Sequence, residues 1–412
     1  MTPPIAFRVA LAGLIGFAVV ACGGATNSPT SGSASPSGTP DVKPTGIAPS
    51  ASPSAVPPVA TGGDRAAGWT ATAAMVEPRH THTATRLRDG RVLIVGGYHG
   101  EGLVAAAEIF DPDALSWTLT GVLNEPRSGH TATLLPDGSV LVAGGFGAAG
   151  DSPIATVERF DPDTGSWTAT GPMLEARAVH EAVALADGRV LAMGGGSGGL
   201  GHTALASSEI YDPATGAWTA TGPLVEARVR HTATVLRDGR VLVAGGFPGS
   251  GGVSPVDESI ATAELFDPTF PTWTPTGVMH QGRGRHTATL LADGTVLVTR
   301  LGRLGSAERY DPASGTWSTT GDLAVVRFVP TATLLEDGTV LVAGGYGDDP
   351  DGDIATRSGE RYHPDSGTWT AAGTMVAART GHTATRLADG TVLVAGGATA
   401  DAPSAEIYRP GG

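Results

Sequence analysis

The 412-residue chain is rich in Gly, Thr, Ala and Val, poor in aromatic residues, and carries a formal net charge of −14, nearly all of it after residue 68. An acidic chain repels phosphate backbones, which argues against nucleic acid as a partner. The single cysteine, Cys22, and the single lysine, Lys43, both lie near the N-terminus, which excludes disulfides, thiol nucleophiles, thiolate metal sites and lysine Schiff bases downstream.

In chain order, Arg8 followed by the apolar run Val9 to Ala21 reads as an export signal, too short to cross a bilayer and ending in small residues. Val19-Val20-Ala21-Cys22 resembles the bacterial lipobox, which implies lipidation of Cys22 and an extracytoplasmic, membrane-anchored protein. The alternative is an ordinary secretory signal with an incidental Cys. Residues 23–66 are dominated by Ser, Pro, Thr, Gly and Ala and offer nothing for a core, so a disordered tether is expected there.

From residue 67 to 412 one phrase recurs seven times. Trp69, Trp117, Trp167, Trp218, Trp273, Trp317 and Trp369 are each followed ten residues later by an Arg, and ten beyond that by Asp-Gly. A double Gly and a Glu two residues before Tyr or Phe complete the unit. "HTATRLRDGRVLIVGG" reads as two strands joined by Asp-Gly, the pair expected to take the positive φ angles of a two-residue hairpin turn. "FDPDTGSWTAT" reads as a second hairpin, with Gly in the left-handed position. Each unit is therefore a four-stranded meander, with strands A ("HTAT"), B ("VLVAGG"), C ("AEIYDP") and D ("WTAT"). The chain opens on an unpartnered D strand and ends on a C strand that lacks its D. The expected fold is all-β: a seven-bladed propeller of four-stranded antiparallel blades, closed by the N-terminal strand as the outer strand of the last blade. An open stack, with two bare edges, is the alternative.

The Arg-x-x-His, double Gly, Glu-x-Tyr-Asp-Pro and Trp spacing over residues 69–408 resembles the kelch repeat. That resemblance implies a propeller fold and leaves function open, since kelch-type propellers include enzymes, sugar-binding modules and interaction scaffolds. The copper site of galactose oxidase, a kelch-type propeller, needs a Tyr-Cys crosslink, and no Cys is present in this domain.

Residues repeated in every blade read as scaffold. The seven Glu match the seven Arg in number and are expected to pair with them as partly buried ion pairs. The six repeated His, with Pro330 in the seventh position, are expected to be hydrogen-bonded core residues rather than a metal ring. Only the segment from B to C changes length, so a binding surface is expected on the face that carries it, with His80, His99, Glu101, His202, Asp257 and Glu258 as candidate ligand contacts. Asp349, Asp351 and Asp353 alternate as calcium-loop ligands do, but Ile354 stands where such a loop requires Gly. No cofactor is otherwise expected. The fifth copy ends in Thr299-Arg300 and lacks the Gly-Gly of the others, and its loop is the shortest. Arg300 or Arg303 is expected to border a notch there, set against simple decay of the repeat. The sequence points to a monomeric, lipid-anchored binding module for a glycan or a cell-envelope protein. A carbohydrate-active enzyme on the same face is the alternative.

Overall fold

A computed structural model of the protein describes residues 67–411 apart from 101, 149–151, 199–202, 250–258, 300–305, 348–354 and 398–404. The signal, Cys22 and tether expected before residue 67 lie outside the described residues. Seven four-stranded antiparallel sheets follow in order. In the first, A is Thr83–Arg86, B is Val92–Val95, C is Ala106–Asp111 and D is Ser116–Val122. The A strands form an inner ring in which each contacts its two neighbours, Thr83–Arg86 meeting Thr383–Arg386 where the circle closes.

Closure is achieved as the strand count requires. Gly68–Ala71 pairs antiparallel with Ala405–Arg409, with Trp69 opposite Tyr408 and Ala71 opposite Glu406. The first strand is thus the D strand of the seventh blade, and the C strand Ala405–Arg409 is paired on both sides instead of being left as an unpaired edge.

The blades are held face to face by apolar side chains. Val92 and Ile94 of blade one pack with Leu393, Ala395 and Ile407 of blade seven, each buried side chain contributing roughly 1.5–3 kcal/mol. Every Trp leans on the aromatic residue opposite it on strand C, as Phe110 and Trp117 do with centroids 4.9 Å apart. Most donate the indole N–H to a backbone oxygen of the preceding blade, Trp117 to Ala73 at 2.9 Å and Trp69 to Ala372 at 2.8 Å. The Trp ladder in the sequence is therefore a row of interblade clamps.

The A to B turn differs from expectation. Leu87 N–H bonds the Arg91 carbonyl at 2.8 Å and Gly90 N–H bonds the Leu87 carbonyl at 3.1 Å, which makes a three-residue loop with Gly90 alone at positive φ. Asp89 is selected for its side chain instead, since its carboxylate accepts the Arg91 N–H at 3.0 Å.

All seven repeated Arg and Glu pair, from Arg79–Glu108 at 2.8 Å to Arg379–Glu406 at 2.7 Å. Each Arg is buried. Arg79 also donates to the carbonyls of Gly96 and Ala106, while Glu108 accepts the N–H groups of Val76 and Glu77. One ion pair thus ties together the entry to strand A, the end of B and the start of C.

Candidate functional site at the mouth of the axis

The first of the two glycines has a specific reason to lack a side chain. A Cβ on Gly96 would lie 2.6 Å from the imidazole of His130 in the next blade, and Gly144, Gly194, Gly245, Gly344 and Gly396 meet the next blade's His in the same way. Those imidazoles in turn reach back. Nε2 of His130 bonds the hydroxyl of Thr83 at 2.9 Å, and His82, His180, His286 and His382 bond Thr383, Thr131, Thr232 and Thr331. Burial holds all six rings neutral, those of His130, His231, His286 and His382 with pKa values lowered to about 3. Their repetition is structural.

Two places break this Thr–His lattice. In blade six Pro330 replaces the His, so no imidazole crowds the end of strand B in blade five. Contrary to the expected register, Thr299 stands where the other blades carry Val95, Ala143, Met193, Ala244, Ala343 and Ala395, one residue before the Gly position; it is buried and bonds Thr287, whose hydroxyl would otherwise have met the missing His, at 2.8 Å. The change to Thr and the missing His are one compensated change, which accounts for Thr299 without a ligand; the first Gly position itself is taken by Arg300, which lies outside the described residues.

The second break is uncompensated. "HTAT" becomes "HEAV" in blade three, so Glu181 stands where a Thr hydroxyl would meet His231, and Nε2 of His231 has no hydrogen-bond partner. Burial pushes the Glu181 carboxyl up to about 8. Glu181→Thr should therefore stabilise the protein by about 1–3 kcal/mol at pH 8, the usual worth of satisfying a buried polar group. A folded pKa raised from an ordinary 4.5 gives stability that is present below pH 4.5 and lost as pH rises to about 8. The advantage of Thr should grow across that window in urea titrations; a variant no more stable at pH 8 would mean that Glu181 is already satisfied.

Just before each A strand, two residues past the repeated Arg, lies a second ring: Thr81, Gly129, Val179, Arg230, Arg285, Val329 and Gly381, all at positive φ. Thr81 N–H bonds the Gly381 carbonyl at 2.7 Å, Val179 bonds Gly129 at 2.7 Å, and Arg285 bonds Arg230 at 3.0 Å, so neighbouring blades are stitched at the mouth of the axis. This mouth opens on the face that carries the B to C segments. Arg230 and Arg285 bring two cations to it. Arg230 is half-buried, and burial and the charge of Arg285 pull it down to about 9; Arg285 itself is exposed at the mouth, lowered by partial desolvation against the neighbouring blades.

Of the residues expected to contact a ligand, the structure brings His80 and His99 together in blade one. His80 stacks on Tyr98 at 5.8 Å, bonds Thr81 through Nδ1 at 3.0 Å, and is held below the ordinary imidazole value by burial and by His99. Glu101, His202, Asp257, Glu258, Arg300, Arg303, Asp349, Asp351 and Asp353 lie outside the described residues. Among the described residues no three His, Cys, Asp or Glu side chains gather as metal ligands would. On the described inner strands Glu181 is the one carboxyl, so the carboxylate pair of a glycosidase is not found there. Sequence reasoning missed Glu181, Arg230 and Arg285. Glu181 was signalled by the departure from "HTAT", while the two Arg sit in a variable position whose place at the axis only the ring reveals.

Residues 66–246 match the family model described as the KLHDC2/KLHL20/DRC7 Kelch-repeats domain. Among solved structures the chain is similar to a fungal alcohol oxidase of the AA5 family in complex with copper, at 17% identity and a TM-score of 0.66, over 84% of this chain and 76% of that one. At that identity the likeness speaks to fold alone. No curated protein matches the sequence. Seven meanders joined through Arg–Glu pairs, His-packed glycines and Trp clamps make this chain a seven-bladed β-propeller, of which residues 66–246 match a kelch-repeat model.

Proposed function

We propose that the protein is a binding module that takes a glycan or a cell-envelope protein on its irregular face, anchored to the membrane through a lipid on Cys22. The observation that carries this reading is the distribution of exposed apolar side chains. Val76, Val122, Leu174, Val225, Val278 and Val376, at 47–65% exposure, all stand where strand D passes to strand A, on the irregular face. The uniform face, built from A to B and C to D turns, exposes Phe270, and Leu119 is exposed midway along the outer strand of blade one. Apolar groups concentrated on one face favour docking there.

The test is capture from cell-envelope extracts and on a glycan array with the full chain, the Leu174→Asp/Val225→Asp variant and the Phe270→Asp variant. Loss of capture by the first variant, retained capture by the second, and release of the Cys22→Ser protein from membranes are expected. Equal capture by all three propellers, or membrane retention of Cys22→Ser, overturns the corresponding part of the reading.

A further inference from the structure

Arg230 and Arg285 occupy the same place in adjacent blades, and among the described residues no carboxylate pairs with either. Neither side chain forms an ion pair or hydrogen bond with a described residue, although the paired Arg228 and Arg283 two residues earlier are each matched to a Glu. Their other neighbours in the mouth ring are Thr, Gly and Val. The phenol of Tyr346 is the polar group that faces Arg285.

The placement is rigid. Both Arg are held at positive φ, 56° and 53°, and the backbone between them is bonded. Phe247 packs so closely over Gly284 that a Cβ there would fall 2.2 Å from the ring, which fixes the backbone just before Arg285. Two like charges set side by side, Arg230 half-buried and Arg285 exposed at the mouth, repel each other in the empty protein, and an anion entering between them removes that cost.

Three features narrow the anion. The chain's net charge of −14 repels polyanions, so a compact group with one negative charge is favoured over a densely charged polymer. Planar guanidiniums match the two oxygens of a carboxylate. Around the same mouth Tyr98, Phe146 and Tyr346 are half-buried, at equivalent positions after the double glycines, and offer ring faces and edges to the C–H face of a pyranose. We propose that Arg230 and Arg285 hold the carboxylate of an acidic sugar, with Tyr346 beside it, at the mouth between blades four and five. This rests on the reading of the irregular face as a binding surface and names the charge that the face selects.

Calorimetric titration of the full chain with glucuronic and galacturonic acids, glucose and galactose, and an N-acetylated dipeptide with free or amidated carboxylate tests it. Uronates should bind, and the neutral sugars and both peptides should bind far more weakly. Arg285→Gln should weaken uronate binding by about thirty-fold or more, the lower end for truncating one partner of a desolvated charge pair. Arg285→Lys should recover part of it. The Arg230→Gln/Arg285→Gln protein should melt no lower than the parent, because it loses only mutual repulsion. If it fails to fold, the rise in the parent's melting temperature with glucuronate, absent with glucose and lost in salt, serves as the second readout. Uronate affinity unchanged in a folded double variant, tighter binding of the free-carboxylate peptide, or a glucuronate effect that glucose reproduces overturns the proposal. Loss of uronate binding with capture from extracts intact would sink the axial site alone, and the converse would sink the rim reading alone.

Discussion

Acidification from pH 6.5 towards pH 3 should unfold this protein steeply. His130, His231, His286 and His382 have pKa values lowered to about 3, and His82 and His180 lie well below the ordinary 6.5, because burial and the adjacent Arg disfavour the charged ring. The unfolded chain binds protons at these rings below pH 6.5 and the folded chain refuses them. Stability from neutral His is therefore full above pH 6.5 and lost as pH falls, by up to about 1.4 kcal/mol per pH unit for each ring that titrates only when unfolded. Asp137, Asp238, Asp293 and Asp337, held low by hydrogen bonds and Arg, add to the loss at the acid end. Glu181 works in the opposite sense between pH 4.5 and 8, so the optimum should lie near neutrality. Urea midpoints measured from pH 8 to pH 4 check this; a flat profile below pH 6.5 would place the imidazoles in contact with water.

Replacing Glu108 by Ala should cost about 3–5 kcal/mol, the range for removing one partner of a buried pair. The pair is fully buried, and the change strands the Arg79 guanidinium as well as the N–H groups of Val76 and Glu77. Arg91→Ala, which removes an exposed partner of Asp89, should cost under about 1 kcal/mol. Chemical unfolding of the two variants gives the comparison, and similar losses in both would remove the distinction between scaffold pair and surface pair.

The fold was legible because a ring repeats its physics. Invariant spacing from Trp to Arg to Asp-Gly fixed the meander, and one D strand at the start against one missing at the end fixed closure. The Arg–Glu pairing followed from number and from the cost of an unpaired carboxylate. What escaped was interblade: no single repeat shows that Gly96 abuts His130, or that Thr299 and Pro330 answer each other across a blade boundary. The candidate site escaped for the same reason. Loop length drew attention to segments such as 250–258 and 300–305, which lie outside the described residues, whereas Arg230 and Arg285 differ from their counterparts by side chain alone.

The antiparallel pairing of Gly68–Ala71 with Ala405–Arg409 also gives the domain a polarity. A D strand starts at the C to D turns, and a C strand finishes there, so Gly68 and Arg409 sit opposite each other at the turn side of blade seven. Both attachment points of the propeller therefore emerge on the uniform face. The backbone at Gly68 and at Arg409 thus leaves the ring from the side of the turns, opposite the side on which Arg230 and Arg285 line the mouth.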